Sequence, residues 1–121
     1  MNFLGNADKF DSLLAEKFPD EYDECSMFVR HKSIHIDPQV VAEAGIEICR
    51  AEQNEGDMII TFPRAYHSGY NSGINVAEAA NFAHPMWIEY GVKHKRCDCS
   101  DKDRYDNNVD VELFSRYVQL I

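Results

Sequence analysis

Three of the four cysteines and one histidine of this 121-residue sequence have a spacing that could bind a metal ion. Cys97 and Cys99 form a C-x-C pair, and on an extended segment the side-chain period of two places both sulfurs on one face. A closed tetrahedral zinc site needs two more ligands, and the nearest candidates are Cys25 and His31. Their six-residue spacing turns them to different faces of a regular helix, so a shared ion requires one of them to lie at or beyond a helix end. The simpler alternative is a pair of half-buried cysteines, and we expect Cys49 to be a small core residue on a strand.

A possible ligand of a second metal site is His67. It follows the apolar run ending at Phe62 and lies beside a loop rich in Gly, Ser and Asn. A histidine just past a strand can project into the mouth of a barrel, although a hydrogen-bonded or exposed loop histidine is the simpler interpretation. A non-haem iron oxygenase uses two histidines and one carboxylate, with open positions for substrate and dioxygen. The first two ligands usually form an H-x-D or H-x-E string. The sequence has one such string, His35-Ile36-Asp37, but Asp37 precedes Pro38 and is better explained as a helix N-cap.

Composition limits the classes of protein to which the chain can belong. With 45% hydrophobic and 27% charged residues, the composition is that of a soluble globular protein of one domain or part of one. We expect no membrane span and no secretory signal, and therefore a metal site rather than a disulfide framework for the cysteines. With a formal charge of −9 we expect no direct DNA binding, because phosphate contacts depend on clustered Lys and Arg.

The elements that would position these residues begin with helices. Asn6 can cap a helix running to about Lys17, with an apolar stripe and a Phe-Pro stop. A second short helix is predicted over residues 23–29. Asp37-Pro38 is a good N-cap and N1 pair for a third helix, which ends near Gly45.

Strands are predicted next, and the chain closes with further helices. The short apolar runs at 46–50 and 58–62, separated by a polar turn, have strand length, and residues 74–82 alternate well enough to form another strand. His84-Pro85 opens a short helix that Gly91 ends, residues 95–100 could be extended, and Asn108 or Asp110 caps a last helix. This order predicts an α+β fold rather than alternating βαβ units.

Several sequence segments together resemble a known family. They read GDMIITFP at 56–63, YHSGYNSGINVAE at 66–78, NFA at 81–83, WIEYG at 87–91 and the C-x-C pair at 97–99. They resemble the end of the JmjC (Jumonji C) domain, most closely the demethylases that act on trimethylated histone lysines nine and thirty-six. The resemblance covers roughly residues 7–118 and implies a double-stranded β-helix, a cupin-like jelly roll, with flanking helices and a structural zinc site.

The resemblance assigns roles to individual positions. It implies that Cys25, His31, Cys97 and Cys99 are ligands of the structural zinc ion. It places His67 at the position of the family's third, C-terminal iron ligand. It also places Lys32 and Asn81 on polar positions near the active centre.

Other parts of the family pattern are missing from this chain. The H-x-E pair of iron ligands and the lysine that holds 2-oxoglutarate would precede residue 1, so residues 1–121 are expected to be the C-terminal half of a JmjC domain with no complete catalytic set. Ala79-Ala80 replaces a pair that is often hydroxyl-bearing beside the methylated lysine, which leaves the methylation-state preference open. The chain stops at Ile121, whereas the subfamily usually continues past the final helix.

Two functions follow as expectations. The first is part of a nuclear, Fe(II)- and 2-oxoglutarate-dependent demethylase that acts on a methylated histone tail and is inactive as this isolated chain. The second is a non-catalytic, zinc-stabilised interaction module that kept the JmjC scaffold. A third arrangement is pairing with a separate chain that supplies the missing N-terminal half.

Overall fold

A computed structural model describes residues 3–81, 84–93, 95, 97 and 99. Within these residues the regular elements are four α-helices and two 3₁₀ turns. The helices are α1 (Phe3–Lys17), α2 (Pro19–Glu24), α3 (Pro38–Glu43) and α4 (Ile88–Val92), and the 3₁₀ turns are Phe28–His31 and Pro85–Trp87.

Helix α1 carries the apolar stripe that the sequence predicts. Leu14 is only 2% exposed, and Leu13 packs with Val41 and Ile46 in a small core that Phe10 covers. The Phe-Pro stop after Lys17 is confirmed, since α1 ends at that residue. The predicted start at Asn6 is wrong, because the helix begins at Phe3.

Helix α2 lies earlier in the chain than the predicted helix over residues 23–29. Pro19 occupies the first turn, where its missing N–H costs no hydrogen bond, and Asp20 and Glu21 complement the positive end of the helix. The helix ends at Glu24, and Cys25 adopts an extended conformation with φ −155° and ψ 109°. The 3₁₀ turn Phe28–His31 follows, so two short elements replace the single predicted helix.

Helix α3 confirms the predicted cap. The backbone N–H of Gln39 donates to Asp37 Oδ1 at 2.8 Å, and Pro38 occupies the first turn. The helix ends at Glu43, and Gly45 follows with φ +72°, a left-handed conformation that glycine adopts without steric cost. The predicted end near Gly45 is therefore confirmed.

The predicted strands are not found in the described residues. Residues 46–50 and 58–62 form no ladder, and neither do residues 74–81. Met58 is 83% exposed, and the prediction of Cys49 as a small core residue on a strand is wrong, because Cys49 is exposed. A strand is stable only when its N–H and C=O groups pair with a neighbour, and the described part of the chain supplies none.

The short helix near residue 84 is confirmed, with small changes at its ends. His84 Nδ1 accepts from the backbone N–H of Met86 at 3.3 Å, Pro85 opens the 3₁₀ turn, and α4 continues to Val92, one residue beyond Gly91. The predicted helix from Asn108 or Asp110 lies outside the described residues. So do residues 96, 98 and 100 of the segment predicted to be extended. Among the described helices, none is both long and apolar enough to cross a membrane.

Replacing the α3 cap tests the role of Asp37. Asp37→Ala removes the acceptor for the Gln39 N–H and should lower the free energy of unfolding by about 0.5–2 kcal/mol. Asp37→Asn keeps a side-chain oxygen and should cost far less. Chemical denaturation of the two variants beside the parent chain measures this, and equal losses in both would contradict the assignment of Asp37 as a cap.

Candidate metal centre

The end of α2 and the turn after it position Cys25 and His31. Cys25 is the first residue after α2, and its carbonyl accepts from the backbone N–H of Phe28 at 2.9 Å, which turns the chain. Phe28 is 3% exposed and packs 6.0 Å from the ring of Phe18, so the turn is anchored in the core. His31 ends the 3₁₀ turn. The condition that one of the pair lies beyond a helix end is therefore met.

The structure brings Cys25, His31, Cys97 and Cys99 into one group. Their ligand atoms all lie within 4.8 Å of one another. Cys97 Sγ is 3.6 Å from Cys25 Sγ and 3.2 Å from His31 Nε2, across 72 and 66 residues of sequence. The three cysteines are half-buried and form no disulfide.

The pKa values of two thiols in the group shift in opposite directions. The pKa of Cys97 is lowered to about 7, mainly because the backbone N–H of Cys99 donates to its sulfur and because His31 lies beside it. The pKa of Cys99 is raised to about 12, because its hydrogen bonds to Cys25 and Cys97 favour the protonated form. The neighbouring sulfurs thus compete for negative charge, and a divalent cation between them would remove that competition.

The donor set fits zinc. Three thiolates and one imidazole form one of the common closed zinc sites, Cys₃His, in which no position stays open for a substrate. Two sulfurs bound at about 2.3 Å to a tetrahedral ion lie about 3.8 Å apart. The separation of 3.6 Å between Cys25 and Cys97 is close to this value. The group can therefore hold a structural ion without a large rearrangement of these two sulfurs.

His67 does not belong to this group and lies in an exposed segment without regular secondary structure. Its Nδ1 is 3.2 Å from the carbonyl oxygen of Ala65. Because a carbonyl only accepts, Nδ1 carries the proton in this contact and Nε2 keeps its lone pair for a metal ion. In the described part of the chain, His67 belongs to no group of three or more possible metal ligands. At His67 the described residues therefore present one imidazole and not a triad.

The remaining candidates are exposed. Lys32 follows His31 with φ +54° and closes the 3₁₀ turn through its N–H to Val29. Asn81 is exposed, and within the described residues neither side chain hydrogen-bonds to His67. In His35-Ile36-Asp37 the aspartate is the α3 cap, as described above.

The segment just before His67 makes contacts that the sequence did not predict. Arg64 forms an ion pair with Asp8 of α1 and lies 3.9 Å from Asp11. The hydroxyl of Tyr66 donates to Asp11, and the Tyr66 ring lies 4.7 Å from that of Phe10. The spacing of Asp8 and Asp11 on one helix face is readable from the sequence, but their partners more than 50 residues later are not.

Comparison with known proteins agrees with the resemblance. The sequence pattern of the family described as JmjC domain, hydroxylase, matches residues 4–82. Lysine-specific demethylase 4D of Rattus norvegicus is 43% identical over 93 residues, which is 77% of this chain and 18% of that protein. Probable lysine-specific demethylase 4F of Homo sapiens is 42% identical over 93 residues, 77% of this chain and 15% of that protein.

A third relative extends the match. Lysine-specific demethylase 4B of Mus musculus is 41% identical over 102 residues, 84% of this chain and 9% of that protein. The chain thus spans less than a fifth of the length of each of these curated relatives. No solved structure gives a significant match. Because the family pattern covers more than half of the sequence, the chain belongs to the JmjC domain family of hydroxylases.

Proposed function

We propose that residues 1–121 are the C-terminal half of the catalytic core of a histone lysine demethylase, with His67 as the third ligand of its Fe(II). The match of residues 4–82 to the JmjC hydroxylase family carries this proposal. Three relatives named lysine-specific demethylases, at 41–43% identity, support the reaction class. The substrate is a methylated histone tail, and the working location is the nucleus.

The chain's own residues would contribute one ligand and its orientation. In the complete domain, Fe(II) with 2-oxoglutarate and dioxygen supplies the oxidising power that hydroxylates an N-methyl group, which then leaves as formaldehyde. His67 would bind the ion through Nε2, since Nδ1 donates to the Ala65 carbonyl. Lys32 and Asn81 are proposed to lie near the active centre of the complete domain, where they would supply polar contacts.

The proposed second metal is structural. Cys25, His31, Cys97 and Cys99 would hold one zinc ion that ties the end of α2 to the C-x-C pair. All four ligands lie in this chain, so the ion does not depend on the rest of the domain. Binding of structural zinc supplies folding free energy, which matters in a chain whose described core is small.

The alternative is a non-catalytic, zinc-stabilised module. The observation that favours it is that His67, in the described part of the chain, joins no group of three or more possible metal ligands. One imidazole alone does not enforce an open three-ligand site. Under this alternative the zinc group is retained, and no catalysis arises even when the missing half of the domain is supplied. The two proposals therefore differ in the outcome of complementation, while they agree about zinc.

Metal analysis tests the zinc site. The purified chain should contain about one zinc and no stoichiometric iron, and Cys97→Ser should abolish stoichiometric zinc because it leaves three ligands. Cys49→Ser is the matched control, since Cys49 is an exposed cysteine outside the group. Chelation of the zinc should unfold the parent chain, as judged by far-UV circular dichroism. Equal zinc in the Cys97→Ser variant would overturn the assignment.

A chimera tests the iron ligand. We place this chain in the matching segment of the mouse 4B relative and measure 2-oxoglutarate-dependent formaldehyde release from a trimethylated histone H3 peptide. His67→Ala should lower the rate by about 100-fold or more, since even partners that only support a ligand contribute about 10–100-fold. His35→Ala should stay within about twofold, as expected of an exposed residue.

The controls separate the proposals. The isolated chain should release no formaldehyde. An active chimera that tolerates His67→Ala would remove His67 from the iron site. A folded, zinc-loaded chimera without activity would favour the non-catalytic module.

A further inference from the structure

The segment that leads to His67 is held on α1 by a mainly polar cluster, which we define as the α1 clamp: Asp8, Phe10, Asp11, Arg64 and Tyr66. Arg64 pairs with Asp8 and lies 3.9 Å from Asp11 Oδ2. Tyr66 donates its hydroxyl to Asp11 and packs its ring against Phe10 at 4.7 Å. Three side chains of one helix therefore contact two residues of the short segment just before His67.

Within this segment, the turn at residues 62–65 has a backbone conformation that needs support. Arg64 has φ +59°, in the left-handed region that residues with a Cβ avoid. The N–H of Ala65 donates to the carbonyl of Phe62 at 3.1 Å and closes the turn. Such a conformation persists where surrounding contacts hold it, and the contacts of Arg64 with α1 are of that kind.

The turn ends in the contact that orients His67. The carbonyl of Ala65 lies between the two clamped residues, Arg64 and Tyr66, and accepts from His67 Nδ1 at 3.2 Å. Because a carbonyl only accepts, this contact favours the ring tautomer that carries its proton on Nδ1. In this tautomer Nδ1 is the donor to the carbonyl, and Nε2 keeps the lone pair with which a histidine can bind a metal ion.

We infer that Arg64 and Tyr66 are positioning residues: by docking the turn on Asp8 and Asp11 of α1, they hold the Ala65 carbonyl so that His67 is kept in the Nδ1–H tautomer with Nε2 ready to bind the metal. This inference rests on the proposed role of His67 in the iron site. It adds a physical link from the first helix to that ligand, through residues that touch neither metal nor substrate.

Nitrogen-15 NMR of the zinc-loaded chain reads the His67 tautomer directly. The spectra are recorded at about pH 8.5, two units above the ordinary pKa of histidine, so that the neutral ring is observed. The parent chain should show the Nδ1–H form as the major tautomer of His67. Arg64→Ala should lower the tautomer ratio by about two- to fivefold, the range expected when exposed ion pairs are lost.

Graded variants separate positioning from folding. Arg64→Lys keeps the charge without the planar fork and should restore part of the ratio, while Arg50→Ala, at an exposed arginine outside the clamp, should leave it unchanged. Tyr66→Phe removes one hydroxyl and should shift the ratio in the same direction as Arg64→Ala. If Arg64→Ala fails to fold, as judged by its backbone amide spectrum, Tyr66→Phe decides the outcome.

The same nitrogen-15 spectra contain the outcomes that would overturn the inference. An unchanged His67 tautomer in folded Arg64→Ala and Tyr66→Phe, or a major Nε2–H form in the parent, removes the positioning role. Because no iron is present, this outcome is independent of the chimera assay. Activity that survives His67→Ala would remove the proposed iron role and leave the clamp as a purely structural feature.

Discussion

The convergence of three thiols and one imidazole is the interaction on which the described structure depends. Cys25 and His31 come from the end of α2 and the following turn, and Cys97 and Cys99 come from more than 60 residues later. Uncompensated, three sulfurs at this distance resist shared negative charge, as the opposite shifts of the Cys97 and Cys99 pKa values indicate. A divalent cation would offset this repulsion and connect the segment after α2 to the C-x-C pair.

The need for such a tie follows from the small amount of buried apolar surface. Among the described residues the buried hydrophobic side chains are few, and they come mainly from α1, α3 and the turn at Phe28. The apolar residues near 58–76 remain exposed, Ile74 and Val76 almost completely. Hydrophobic burial alone therefore leaves this half of the chain weakly held, and a closed metal site is the usual supplement for small cores.

The segment around His67 is attached by a different kind of contact. An ion pair, a hydroxyl-to-carboxylate hydrogen bond and a ring contact fasten it to α1, with little apolar burial. Exposed contacts of this kind are individually weak, but here they act on one turn whose carbonyl meets the imidazole. These contacts thus connect α1 to the segment of His67, more than 50 residues later in the sequence.

Local signals were enough to predict the cap at Asp37, the helix opened by His84-Pro85 and the end of α1 at Lys17, because each depends on neighbouring residues alone. The four donors could be named from their types and spacing, yet their grouping required Cys25 to lie just past α2. Two features could not be predicted from the sequence: whether the apolar runs pair as strands, and which residue Arg64 pairs with. Both depend on partners distant in sequence, as Asp8 is from Arg64. Residue types thus defined the available chemistry, and tertiary contacts decided which side chains meet.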